Sequence, residues 1–250
     1  MGSVHHRLGV ALFAAAFLGP AAVWAAATPA PAPRVLRHLT FAVGVDVETR
    51  TDTKVSGIEG PASGTASNTG TQIQKGTITA DVIAATGDGG IVIDVSEDTD
   101  TRKAGVARVA ILGSTISYNP NLDVTDEERD VLRFLSRSFV KDGEIAVGTT
   151  WSSDAKSDLG TDHTDYSVTA VDADAKTIDI AVDEKVSQTG PRGFDGTTRG
   201  TVKYDMGVLV PLSFSLDTKR RAQKSLEQTL TVETKVTSTL TSDSFHKAAN

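Results

Sequence analysis

Leu39-Thr40-Phe41-Ala42-Val43-Gly44-Val45-Asp46-Val47-Glu48 decides the fold class. Large apolar side chains hold the odd positions, and small or polar ones hold the even positions. A two-residue period is that of a β-strand with one buried and one wet face. The rest of the chain agrees with this stretch. Among its 250 residues are 32 Thr and 26 Val, two β-branched types that fit a pleated surface and are mediocre helix formers.

Downstream, apolar or alternating runs recur with turn residues between them. Thr71 to Ala85 leads through Gly87-Asp88-Gly89-Gly90 into Ile91-Val92-Ile93-Asp94-Val95, a hairpin signature. Gly105 to Tyr118 is a further strand. Asp165 to Val171 and Lys176 to Val186 flank the loop Asp172-Ala173-Asp174-Ala175. Thr197 to Tyr204, Val208 to Leu216 and Leu226 to Leu240 follow. Residues 51–70, rich in Gly, Ser, Thr and Asn, predict a long loop or a frayed hairpin. Short turns between successive strands imply antiparallel neighbours, since a parallel crossover needs a dozen or more residues. The expectation is a mainly β protein. It is a curved antiparallel sheet or half-open barrel of about 8–10 strands.

One helix is expected, over about 125–141. Thr125 followed by Glu128 is a capping box, and Asp126, Glu127 and Glu128 sit at the positive end of the helix dipole. Val131, Leu132, Leu135 and Phe139 form an apolar stripe, widened by Phe134, and Gly143 is a stop signal. That stripe needs a partner, and the sheet is the only large one.

Upstream, residues 1–27 read as a secretory signal peptide: His5, His6 and Arg7, then an apolar core from Leu8 to Leu18, then Ala25-Ala26-Ala27 as an A-x-A cleavage pattern. Residues 28–37 read as a stiff Pro/Ala-rich spacer, and 38–250 as one β-rich domain. The expected location is periplasmic or secreted. The apolar core is too short to span a bilayer, and no second apolar run follows, so no transmembrane segment is expected in the mature chain. Removal of Arg7 with the signal changes a net charge of −7 to −8. That sign disfavours nucleic acid and anionic membranes.

The absence of Cys excludes disulfides, thiolate metal sites and a Cys nucleophile. There is no HExxH, Walker A or G-x-G-x-x-G motif and no G-x-S-x-G elbow, so no catalytic residue, cofactor or metal is assigned. His38, His163 and His246 share no ligand spacing. Asp94, Glu97, Asp98 and Asp100 form one acidic group, and Asp172 and Asp174 another. Both suit turn chemistry better than calcium. Phe134, Leu135, Phe139 and Trp151 are candidates for a core or ligand cleft where helix meets sheet. Arg129, Arg133 and Arg137 recur every four residues on one helix face, read as a solvated face or as a docking face for an acidic partner. Gly190-Pro191-Arg192-Gly193-Phe194-Asp195-Gly196 is a turn-rich loop with one aromatic.

Gly200-Thr201-Val202-Lys203-Tyr204-Asp205, Gly207 and Pro211-Leu212-Ser213-Phe214 resemble exported bacterial proteins of uncharacterised families. More loosely, they resemble the periplasmic lipoprotein-carrier type, in which a helix plugs a curved antiparallel sheet. The resemblance covers about 105–245. It implies a fold and transfers no functional residue. The strands here are more Thr-rich than in the lipid carriers, and there is only one convincing helix. The functional expectation is an exported soluble binding or envelope-associated protein without catalysis. Its ligand would be a hydrophobic small molecule, a lipid or an envelope protein. The alternatives are a hydrolase that gathers carboxylates from separate strands, and a structural or adhesive module.

Overall fold

A computed structural model of the chain describes residues 37–55, 64–85, 90–100, 103, 105–112, 115–118, 124–135, 139–140, 144–157, 160–190, 193–225 and 227–244. The expected signal peptide, most of the spacer, Arg137, Gly143, His246 and the 87–89 turn lie outside these residues. Arg37, assigned above to the spacer, opens the first strand.

The strands are β1 (Arg37–Val55), β2 (Gly64–Ala85), β3 (Ile91–Thr99), β4 (Ala107–Leu112), β5 (Thr115–Tyr118), β6 (Thr150–Ser157), β7 (Gly160–Asp172), β8 (Thr177–Gln188), β9 (Asp195–Asp205), β10 (Val210–Gln223) and β11 (Gln228–Asp243). The helix, α1, is Asp126–Leu135. All strands join one antiparallel sheet in the order β5-β4-β3-β2-β1-β11-β10-β9-β8-β7-β6. Each strand therefore lies beside its neighbour in sequence except β5 and β6, which form the two edges, and β1 pairs with β11 across the ends of the described chain. This is the connectivity of an up-and-down barrel opened at one seam, between β5 and β6. The connection that carries α1 bridges that seam.

Eleven strands exceed the expected 8–10 for two reasons. Gly105 to Tyr118 folds as two short strands, with Leu112 opposite Thr115. Thr150–Ser157 forms an edge strand, although Trp151 is its only large apolar residue. The segment expected as a loop is also more ordered than its composition suggests. Residues 51–55 and 64–70 continue the β1–β2 pairing, with Thr51 opposite Asn68. Thr at these positions is itself a good strand former.

The sheet curls round the helix. α1 touches both β3 and β10, which have β2, β1 and β11 between them. On a flat sheet those two strands would stand roughly 19 Å apart at about 4.8 Å per strand. A helix roughly 10–12 Å across reaches both only from inside a curved sheet. Register shifts at Thr40/Phe41, Val82/Ala84, Val168/Ala170 and Pro211/Ser213 supply bends. Pro211 suits such a shift because it has no N–H to donate. At Gly200 a Cβ would stand 1.9 Å from the Ser215 carbonyl oxygen, so β9 approaches β10 there as only glycine allows.

The concave face holds the core. Leu39, Phe41, Val43, Val45, Ile78, Ile93, Val109, Ile180, Val202, Tyr204 and Leu216 are buried there, with Val131, Leu132 and Phe134 of α1 above them. The capping box forms as the spacing predicts. Thr125 N–H donates to Glu128 Oε2 at 2.9 Å, and Glu128 N–H donates to Thr125 Oγ1 at 3.0 Å. The helix is shorter than 125–141, because Phe139 and Val140 lie in a bend. Phe139 sits within 5.0–5.3 Å, centroid to centroid, of Phe134, Tyr166 and Tyr204. That aromatic packing decides its place over the helical period. At the far end, Arg37 Nε donates to Asp243 Oδ1 at 2.8 Å and Arg37 Nη1 to the Val208 carbonyl at 2.9 Å, which ties β1, β11 and the β9–β10 turn.

Candidate functional site

Register places the inward residues of β1 and β6–β11 in transverse rows. Val45, Val236, Leu216, Gly200, Val182, Tyr166 and Trp151 stand directly opposite one another in turn. This row is apolar. Two residues along each strand, the next inward row is Val47, Thr234, Thr218, Thr198, Glu184, Thr164 and Ser153. Five of its seven members carry hydroxyls. α1 and Phe139 cover the apolar side of this boundary, and a cleft of about 1020 Å³ opens over the polar row.

The helix supplies one wall of the cleft through Glu127, Arg129, Asp130 and Arg133. Phe194, from the β8–β9 loop, closes the opposite side, with the Arg220 guanidinium 5.2 Å above its ring. In that loop Gln188 N–H donates to the Phe194 carbonyl at 2.8 Å, and Gly193 N–H to the Gly190 carbonyl at 3.0 Å. The lip is β6, where Trp151 stacks on Tyr166 at 5.3 Å and 19°.

Arg133 is the best-held side chain of the site. Nε donates to Tyr166 Oη at 2.9 Å, Nη1 to Glu184 Oε1 at 3.0 Å, and Nη2 to Thr164 Oγ1 at 3.2 Å. Its carbon Cζ also lies 5.6 Å from the ring centres of both Phe134 and Tyr166. Burial works against its charge, but Tyr166, Glu184 and Asp130 outweigh that and hold it above the ordinary arginine range. Burial likewise pushes the Tyr166 hydroxyl up. So Arg133, expected on a solvated or docking face, is engaged inside the fold. Arg129, one turn earlier, is exposed at the rim. The apolar stripe is wide enough that the helix turns residue 133 towards β7 and β8.

Asp162 lies on β7 opposite Val186, diagonal to Glu184, which is opposite Thr164. Burial, then the nearby Glu184 charge, pushes its carboxyl above the usual aspartate range. Among the described residues its hydrogen-bond partner is the Thr164 hydroxyl, at 3.4 Å, and the charges of Arg133 and His163 only partly offset the rise. The Trp151 indole N–H is buried and has no acceptor among the described residues. Unmet polar groups and raised carboxyls cost stability and concentrate at functional sites.

The remaining candidates separate clearly. Phe134 and Leu135 are buried beneath the site, while Phe139 and Trp151 reach its lining. Asp94 receives a two-pronged bond from Arg108 at 2.7 and 2.8 Å. Asp172 accepts from Ala175 N–H at 2.9 Å, which is turn chemistry. His163 bridges Asp154 and Asp165 on the outer face. Among the described residues no group of three His, Asp or Glu could hold a metal ion, and no helix is long and apolar enough to cross a membrane. Sequence reasoning missed Asp162, Glu184 and the hydroxyl row. Their signal was a change at one level along β6–β11, from mostly apolar residues to Thr, Ser or Glu. No protein-family model matches the chain, and no curated protein matches it.

Proposed function

We propose that this chain is an exported, non-catalytic binding protein whose inner-face cleft takes a small polar ligand. The observation that carries the reading is the open hydroxyl-and-carboxylate row beneath a helix wall, in a volume of about 1020 Å³. That volume suits a small molecule or a short oligomer. A hydrophobic ligand or lipid fits less well, because the apolar rows are already covered by α1 and Phe139. Export is supported by the charge, apolar core and A-x-A pattern of residues 1–27. It predicts a mature N-terminus at Thr28, readable by mass spectrometry of a periplasmic or culture fraction.

The mature form would also keep one tryptophan, Trp151, in the cleft wall. Native mass spectrometry of protein from its own host tests for a bound molecule, and Trp151 fluorescence then follows its release and return. Protein that carries nothing, and whose fluorescence responds to no host extract fraction, would sink the reading.

One observation favours a second reading, a hydrolase. Asp162, with its raised carboxyl, and Glu184, ion-paired with Arg133 at 3.0 Å, are diagonal neighbours on β7 and β8. Two carboxyl groups in different environments can divide acid and base roles. Turnover of chromogenic glycosides, lost in both Asp162→Asn and Glu184→Gln, would replace the first reading with this one.

A further inference from the structure

We infer that the cleft recognises a short polyhydroxylated chain bearing an ammonium group, of the amino-sugar oligomer class, with the ammonium placed at Asp162. This rests on the binding-protein reading and names the ligand class.

Three features of the cleft converge on that chemistry. The first is the hydroxyl row. Thr234, Thr218, Thr198, Thr164 and Ser153 stand on five strands, spaced by the strand separation of about 4.8 Å except where Glu184 intervenes. Thr198 and Thr218 bond each other at 3.1 Å. A hydroxyl has one donor and two acceptor sites, so both keep capacity for a further partner. The side-chain hydroxyls of Thr234 and Ser153 have no hydrogen-bond partner among the described residues. Such a row offers alternating donors and acceptors at regular intervals, which matches a chain of sugar rings and gains nothing from an alkyl chain.

The second feature is charge. The lining carries five carboxylates and three guanidiniums, and one of the carboxylates, Asp154, is bonded to His163 on the outer face, which leaves four against three. Glu184 has an ion pair with Arg133, while Asp162 has none among the described residues, only a hydrogen bond with the Thr164 hydroxyl and the unbonded charges of Arg133 and His163 nearby. A ligand ammonium would supply the missing counter-charge and take up the acceptor capacity that Asp162 does not use. An anionic ligand would meet repulsion at the same point. The raised Asp162 carboxyl agrees, since burial and the Glu184 charge outweigh the charges of Arg133 and His163 there.

The third feature is Trp151, a residue of the same wall, whose buried indole N–H has no acceptor among the described residues. Trp151 lies opposite Tyr166 and Asp162 opposite Ala155, so the two groups are four residues apart along paired strands, roughly 13 Å. A single amine cannot meet both. An oligomer with an ammonium near one end and ring or hydroxyl oxygens near the other can.

The test uses the full chain and two probes of equal length: the β-linked glucosamine trimer with its amines protonated, and the β-linked glucose trimer. Binding is followed by Trp151 fluorescence and calorimetry. The glucosamine trimer is expected to bind about tenfold or more tightly than the neutral one. Asp162→Asn should erase that preference while leaving the neutral trimer's affinity, and Thr218→Val should weaken both. Wild-type preference should also shrink as salt is added. A neutral trimer that binds as well as the charged one, or a preference that survives both Asp162→Asn and salt, overturns the ammonium assignment and leaves the binding reading intact. Failure of both trimers to bind, in protein that native mass spectrometry finds with a different bound molecule, overturns this ligand class alone. The same failure in protein that carries nothing overturns both.

Discussion

The inward positions of each long strand change character part of the way along. On β1 they run Leu39, Phe41, Val43 and Val45, all buried, and then Val47, Thr49, Thr51 and Thr53, all partly exposed. The β2 partner does the same in reverse. Ile78 and Ala80 are buried, whereas residues 65–73 are exposed throughout. Pairing is continuous across the change, so hydrogen bonding does not distinguish the two regions. What differs is whether α1 and Phe139 cover the inner face. Alternation of residues specifies a strand, and burial is granted separately, by what lies on top. The cleft occupies the boundary, where backbone order is still high and side chains are free to be polar.

The largest expected effect breaks the covered region. Phe134 is fully buried and meets Phe139 and Phe214 edge-on at 5.0 and 5.1 Å. Phe134→Ala should cost about 3–5 kcal/mol by denaturant unfolding. Thr51→Ala, at an inward position of the uncovered region, should stay within about 0.5 kcal/mol. Similar losses for the two would mean that the regions are not energetically distinct.

Arg133→Ala comes next, because it strips Glu184 and Tyr166 of their donor at once. Both partners' side chains in the ion pair are under one-fifth exposed. Loss of about 3 kcal/mol is expected, with a red-shifted Trp151 emission as Tyr166 loosens. Arg133→Lys should recover only part of it, since a single ammonium cannot reach Tyr166, Glu184 and Thr164 together. Full recovery by lysine would reduce the site to a point charge. A smaller effect falls on the helix start. Thr125→Ala removes the acceptor for the Glu128 N–H and should cost about 1 kcal/mol.

These sites also differ in how far sequence exposes them. The capping box is legible because its partners are three residues apart. The β1 alternation is legible because a strand face repeats every second residue. The hydroxyl row is not, because Thr198, Thr218 and Thr234 become neighbours only through the registers of two hairpins. Asp162 was hidden for a related reason. The run of apolar residues suggests a strand from Asp165, while the observed β7 begins at Gly160, held by pairing with Gln188 and Ser187. Strand β6 has a single large apolar residue, and what fixes it is Trp151 stacking on a Tyr166 fifteen positions away. The C-terminal end of α1 looked longer in sequence because the periodic pattern runs on to Phe139, whose aromatic partners come from β7 and β9.

The smallest expected effect lies on the outer face of the cleft's lip, where no helix covers anything. His163 Nδ1 meets Asp154 Oδ1 of β6 at 2.6 Å, and Nε2 meets Asp165 Oδ2 at 3.2 Å. The hydrogen bond to Asp154, joined by Asp165, outweighs the effect of desolvation and raises the imidazole above its usual range; Lys185 stands opposite on β8. A raised histidine adds stability that is fully present below its unfolded value and disappears as pH rises through the folded one. The protonated bridge fastens β6, a strand with one neighbour, to β7. As pH rises through the ordinary histidine range and above it, the wild type should lose a small increment of melting temperature, and amide exchange along β6 should quicken. His163→Gln should flatten both trends. A wild-type β6 that exchanges more slowly as the imidazole deprotonates, after correction for intrinsic rates, would reverse the sign. It would place the fastening of the lip on the Trp151–Tyr166 stack of the covered face, and the outer face would then add nothing to the edge that frames the cleft.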